Sequence, residues 1–362
     1  MLTTAAAQTF VYVANYNNNT ISAFKEQKNG NLIPRGQTPV LSGPESITTN
    51  PYGWVLTADS SANAVTACKI NTHTGRLRVI ENRHEAPNAN PFSLTTTPNG
   101  HFVYVANSGN NTIGIFRITQ TRFLSVGVTT ENHGTSPYNI ALTPNGKFLY
   151  VANFGNDTIG IYQRHPGHGA LIARGTFSEP PGDGPYGLAV GPSGHFLYVA
   201  DFRANVILVL HIARNGQLNL SARVTEPFDH HPDSLVVDPS GHNLLVANTS
   251  ANDISLFRIN QKNGHLKHIG HVATGGYPFS LTLDAAAHYV FVVNYGTSTI
   301  NRYRLNSTTG ILTPTGITHE VTNADPYGIT AITLNEGPAL GLSVGTSNSR
   351  PRSRHDQMPA AP

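Results

Sequence analysis

Apolar and polar positions alternate along this chain in short runs, each closed by Gly, Pro, Asn or Asp, and no stretch carries the period of a long amphipathic helix. One run recurs. An aromatic-apolar segment closed by Asn or Asp ends at Asn15, Asp59, Asn107, Asn153, Asp201, Asn248 and Asn294, with steps of 44, 48, 46, 48, 47 and 46 residues. A second marker, Pro followed by any residue, a small residue and an aliphatic one, begins at Pro44, Pro91, Pro137, Pro185, Pro232, Pro278 and Pro326. The two markers run in phase.

One unit reads as four strands. Tyr138 to Leu142 is the first, and Thr143-Pro-Asn-Gly146 is a turn. Lys147 to Asn153 is the second, Thr158 to Tyr162 the third, and Leu171 to Phe177 the fourth. Pro and Gly supply the backbone angles of the turns, and Val, Ile, Tyr and Thr suit pleated strands. Four strands in such a unit make one propeller blade, and seven units predict an all-β, seven-bladed β-propeller over residues 10–336. The chain opens in a second strand, at Phe10 to Asn15, and ends its last regular segment in a first strand, Tyr327 to Leu334. The last strand is therefore expected to complete the first blade, which leaves the ring without a free sheet edge. Residues 1–9 and 337–362 lack the pattern and are expected to be flexible segments.

Composition narrows the partners. Of the formal charge of +3, three arginines and one acid lie beyond residue 336, which leaves the body near +1. That field is too weak for nucleic acid. No apolar run is long enough to span a membrane. The single cysteine, Cys68, excludes an intrachain disulfide and sits in a strand-like run, where packing is its expected role. The small residues of MLTTAAAQ fit the remnant of a cleaved leader or a frayed end. A monomer in the periplasm or outside the cell is the expectation, with the cytoplasm as the alternative.

The segments VANYNNNTISAF, VANSGNNTIGIF and VANFGNDTIGIY resemble YVTN-type propeller repeats, and the whole unit, with its TPNG turn, resembles the seven-bladed lactonase family. That family includes propeller-type 6-phosphogluconolactonases and carboxymuconate-cyclising enzymes. The resemblance implies a site of His, Arg and Glu at one mouth of the channel. In this chain Tyr138 stands where the family has a His, Tyr186 and Gly187 where it has Arg and His, and Phe202 at its acidic position.

Loops entering the first strands and loops leaving the second strands meet at one mouth of a propeller. The residue after each marker Pro is expected there: Glu45, Phe92, Tyr138, Tyr186, Asp233, Phe279 and Tyr327. Tyr16, Phe154, Phe202 and Tyr295 join them, with Arg203 beside Phe202. Tyr138, Tyr186, Phe202, Phe92, Phe279 and Tyr327 are the candidate ligand-binding residues, since aromatic faces stack on sugar rings and apolar ligands. Packing between blades is the alternative role. His231, Asp233, Glu45 and Arg203 are the candidate acid–base set, His230-His231-Pro232-Asp233 putting imidazole beside carboxylate.

His101, His195, His242 and His288 share one repeat position, which disperses them around a ring. His265, His268 and His271, three apart, are expected in a solvent-facing loop rather than on one strand face. The Asn-rich loops at Asn17 to Asn19, Asn110 to Asn111 and Asn156 to Asp157 read as turn chemistry rather than calcium loops. No metal or cofactor is expected. The function expected from the sequence is a non-catalytic propeller that holds a sugar-like small molecule, or a protein or peptide, at one mouth. The alternative is a lactonase-like hydrolase of a sugar lactone.

Overall fold

The structure, a computed structural model, describes residues 7–130, 134–225, 231–320 and 324–334. Among them are seven four-stranded antiparallel sheets. Their innermost strands are Pro326–Leu334, Pro44–Asn50, Pro91–Thr96, Pro137–Leu142, Pro185–Val190, Pro232–Val237 and Pro278–Leu283, for blades one to seven in turn. Blade four runs Pro137–Leu142, Phe148–Asn153, Thr158–Arg164 and Leu171–Ser178, close to the reading from its turns. No helix among the described residues is long and apolar enough to cross a membrane.

The ring closes as the phase of the repeat requires. Strand Gln8–Asn15 pairs with Pro326–Leu334, from Gln8 opposite Leu334 to Asn15 opposite Pro326. The first strand thus starts inside the segment expected to be flexible. Residues 337–362 and His230 lie outside the described residues.

Second strands are buried almost end to end, so both faces must find apolar partners. In the first blade Phe10, Tyr12 and Ala14 pack towards blade two, while Val11 and Val13 pack towards blade seven. The same alternation repeats, and the buried apolar side chains form seven clusters, one at each seam. The period of two along a strand is what lets one strand serve two seams. The marker tyrosines add a polar tie across the seam. The hydroxyls of Tyr12, Tyr104, Tyr150 and Tyr198 donate to the carbonyls of Gly75, Gly169, Gly216 and Gly264 in the next blade, at 2.9, 2.6, 3.0 and 3.3 Å.

His265 lies exposed in the loop, as expected, whereas His268 and His271 depart from expectation. His268 and His271 stand on the outermost strand Leu266–Ala273 of blade six, with ring centroids 4.3 Å apart. Gly270 is opposite Leu256 and His268 opposite Phe257, so Ile269 is the extra residue of a bulge in this strand, which brings two positions three apart together. Cys68 is buried, and burial pushes its thiol up to about 12.

Candidate functional site

One local device, repeated, aims the site. The residue before each marker Pro is left-handed: Gly43, Asn90, Ser136, Gly184, His231, Tyr277 and Asp325 have φ between 46° and 72°. Six of these are capped by an Asx side chain in a turn of the preceding blade. Asn19, Asn63, Asn111, Asp157, Asn205 and Asn252 accept the backbone N–H of Gly43, Asn90, Ser136, Gly184, His231 and Tyr277 at 2.7–2.9 Å. The capping residues are themselves left-handed, with φ of 50–57°. The Asn-rich loops are therefore turn elements that set the entry angle of the next blade.

A bulge follows each Pro. Pro44 is opposite Asp59 and Ser46 opposite Ala58, so Glu45 is the extra residue. Phe92, Tyr138, Tyr186, Asp233 and Phe279 occupy the same position in blades three to seven, and Tyr327 does so in the closing strand. A bulge re-aims a side chain out of the ladder. Seven bulges send seven side chains to one end of the channel.

Tyr186 takes the centre. Its ring meets Phe92, Tyr138, Phe154 and Phe279 edge to face, with centroids 5.9, 5.4, 5.8 and 6.3 Å away. Phe202 lies tilted at 5.6 Å. Phe92 and Tyr138 stack at 4.4 Å, and Tyr138 and Phe154 at 4.8 Å. On the other side Phe279, Tyr16 and Tyr295 surround Tyr327 at 4.5, 4.9 and 5.2 Å. The aromatics expected at the mouth are thus together there, packed on one another across blades, so the packing role is real as well.

Two acids flank this floor. Burial pushes Asp233 up to about 7, against the Thr249 hydroxyl that donates to its Oδ2. Burial pushes Glu45 up to about 7 as well, and the Ser60 hydroxyl opposes that shift. Oδ1 of Asp233 and Oε2 of Glu45 have no hydrogen-bond partner among the described residues. Both carboxyls act on the Tyr186 phenol, which is desolvated and held well above its ordinary value. Glu45, Tyr186 and Asp233, from blades two, five and six, therefore share one electrostatic environment.

The other two acid–base candidates are placed differently. His231 stacks on Phe202 with centroids 4.7 Å apart, and its Nδ1 lies 2.6 Å from Ser250 Oγ. Arg203 is exposed at the rim, its guanidinium 3.9 Å over the Phe154 ring and 3.7 Å from Asp157. His101, His195, His242 and His288 lie exposed at the opposite end, on four separate blades. A cleft of about 300 Å³ between Tyr52, His101, Arg117 and Pro166 also opens there, away from these carboxyls.

Sequence comparison gives the lineage of this ring. The family described as lactonase, seven-bladed β-propeller, matches residues 2–94, 91–180 and 155–325. The chain belongs to this family. No curated protein matches it. Solved structures share its fold. A Bacteroides fragilis protein provisionally named a 6-phosphogluconolactonase is 22% identical, with a TM-score of 0.80, over 90% of this chain and 98% of its own. The periplasmic gluconolactonase of Pseudomonas aeruginosa is 16% identical, with a TM-score of 0.78, over 90% and 99%. Virginiamycin B lyase of Staphylococcus aureus is 21% identical, with a TM-score of 0.60, over 79% and 87%. Identities this low establish a common fold alone, and one fold hosts different chemistries.

Within this lactonase-family propeller, the preceding Pro marks each bulge residue in the sequence itself. Thr249 and Ser250, which hold Asp233 and His231, carry no such mark, and Asp157, legible as a turn residue, gives no sign in the sequence that it meets Arg203. Those partners come from the second-strand ends and turns of neighbouring segments, where nothing in a single sequence pairs one loop with another.

Proposed function

We propose that the mouth hydrolyses a small sugar-derived lactone. The observation that carries this reading is the pair of buried carboxyls, Glu45 and Asp233, flanking the Tyr186 phenol on an aromatic floor. A carboxyl with a pKa near 7 is matched to proton transfer at neutral pH. Asp233, anchored through Oδ2, leaves Oδ1 to take a proton from water as the oxygen attacks the lactone carbonyl. The Tyr186 O–H donates to the carbonyl oxygen as charge develops on it. The ring C–O bond then breaks, and Glu45 protonates the leaving alkoxide, giving the open hydroxy acid. The stacked faces of Phe92, Tyr138 and Phe154 suit one side of a sugar ring, and Arg203 at the rim suits an anionic substituent.

Family membership supports this reading. The substitution of Tyr138, Tyr186, Gly187 and Phe202 for the family's acid–base groups favours a second one, in which the mouth captures such a ring without turning it over. One experiment separates them. Hydrolysis of 6-phosphogluconolactone and of unphosphorylated aldonolactones is followed at pH 7 for the wild type, Asp233→Asn, Glu45→Gln and Tyr186→Phe. Turnover lost in the variants by about a hundredfold or more supports hydrolysis at this site. Turnover that survives all three substitutions would sink it, and saturable binding without turnover would support capture.

A further inference from the structure

A second group of acids lies behind the mouth, at the seam between blades four and five. Glu179 follows the outermost strand of blade four, Asp183 sits in the loop that enters blade five, and Asp201 closes the second strand Phe196–Asp201. Ligand oxygens of the three lie within 4.8 Å of one another, and the residues are 7, 5 and 0% exposed. Asp183 is held by Arg223 through two bonds of 2.5 and 3.0 Å. No oxygen of Glu179 or Asp201 receives a hydrogen bond from a described residue outside the pair, and the two carboxyls lie within hydrogen-bonding reach of each other.

The other seams show what is unusual here. Glu85 and Glu320 occupy the position of Glu179, each with its N–H bonded to a carbonyl in a turn of its own blade. Glu85 lies against the Asn107 amide, and Glu320 accepts from Ser22 at 2.7 Å. Each of these carboxyls meets a donor. At the seam of blades one and two the second strand ends in an acid, Asp59, but Val40 stands in the place of the glutamate and Thr66 donates to Asp59. Only between blades four and five, among the described residues, do both positions carry acids.

We propose that Glu179, Asp183 and Asp201 bind a divalent cation that ties blade four to blade five. Charge balance selects the valence. The three carboxylates and Arg223 sum to a deficit of two positive charges, and the neighbouring Asp157 and Arg203 cancel. Buried like charges of this density need a counter-ion. An all-oxygen donor set with one carboxylate constrained by a guanidinium suits calcium, which accepts irregular geometry and completes its shell with carbonyls and water. Asp183 lies three residues before Tyr186 and Asp201 one before Phe202, so the ion would brace the aromatic floor from behind. The rival counter-ion is the proton: burial pushes Glu179 and Asp201 upwards, the charge of Asp183 adds to both shifts, and one proton between the two carboxyls would make a hydrogen bond.

The test uses the full chain stripped with EDTA and titrated with Ca²⁺, Mg²⁺ or Mn²⁺, read by calorimetry and by thermal unfolding. One ion is expected per chain, with a rise in unfolding temperature. Asp201→Asn, which restores the amide that most blades carry, should weaken binding by about tenfold or more, the scale on which one charged ligand tunes such sites. Glu179→Gln gives the same readout if Asp201→Asn fails to fold. Asp59→Asn should bind as the wild type does. Unresponsiveness to all three ions, or unchanged binding in both seam variants, would overturn the site. A wild type indifferent to ions, beside an ion-free Asp201→Asn of higher stability, would assign the seam to a shared proton instead.

Discussion

Tyr186 meets Phe279 edge to face across the channel mouth, with ring centroids 6.3 Å apart and planes at 86°. The two residues hold the same bulge position in blades five and seven, and Tyr186 reaches Phe279 from the centre of the mouth. Tyr186 thereby has two separable roles, as a packing element and as a phenol. Tyr186→Phe keeps the ring and should shift stability by less than about 0.5 kcal/mol, while lowering lactone turnover about 10²–10³-fold. Tyr186→Ala should cost about 3 kcal/mol. Urea unfolding and steady-state kinetics on both variants check this.

Burial pushes Glu45 and Asp233 up to about 7, and both act on one phenol. The expected profile of kcat/KM is a bell with its maximum near neutral pH, one carboxyl ionised as base and the other protonated as acid. Asp233→Asn should remove the alkaline-rising limb along with most of the rate. A flat profile between pH 5 and 9 would contradict the assignment.

Stability should fall as pH rises. Burial holds Glu45, Asp59, Glu85, Asp233 and Glu320 at about 7 and Glu26 at about 8, above the value of about 4 that such groups have in an unfolded chain. The folded state therefore binds more protons than the unfolded state between those values. The contribution is fully present below about pH 4 and is lost progressively by pH 7 to 8. Unfolding temperatures recorded from pH 5 to 8 should decline, and a maximum at pH 8 would be the contrary result.

The seams make a sharper mechanical prediction. Gly216 has φ of 87°, its carbonyl accepts the Tyr150 hydroxyl, and a Cβ there would lie 2.4 Å from the Phe148 ring of the adjacent blade. Gly36 has φ of 114° but open space where a Cβ would go. Gly36→Ala should cost about 1 kcal/mol from backbone strain alone. Gly216→Ala adds a clash with a buried ring and should cost about 3 kcal/mol in total. Denaturant midpoints of the two variants, compared side by side, decide the point.

Read from its sequence alone, this chain already determines its ring. The period is set by turns and alternation, both local, and seven copies whose apolar faces need neighbours on each side can be satisfied by closure. The marker Pro also locates the bulge residues, because the constraint on the backbone is local too. What only the tertiary structure decided is which equivalents meet. Seven bulge residues compete for one axis, and the ring admits one side chain there, Tyr186. Glu45 and Asp233 are 188 positions apart, yet both act on that phenol. Arg203, expected beside them, is drawn to the rim by Asp157 and the Phe154 face. The acids Glu179 and Asp201 belong to different blades and face each other only because the seam packs them together. Repeats are legible in sequence because they are local, whereas a site on the axis or at a seam is built from the distances between repeats.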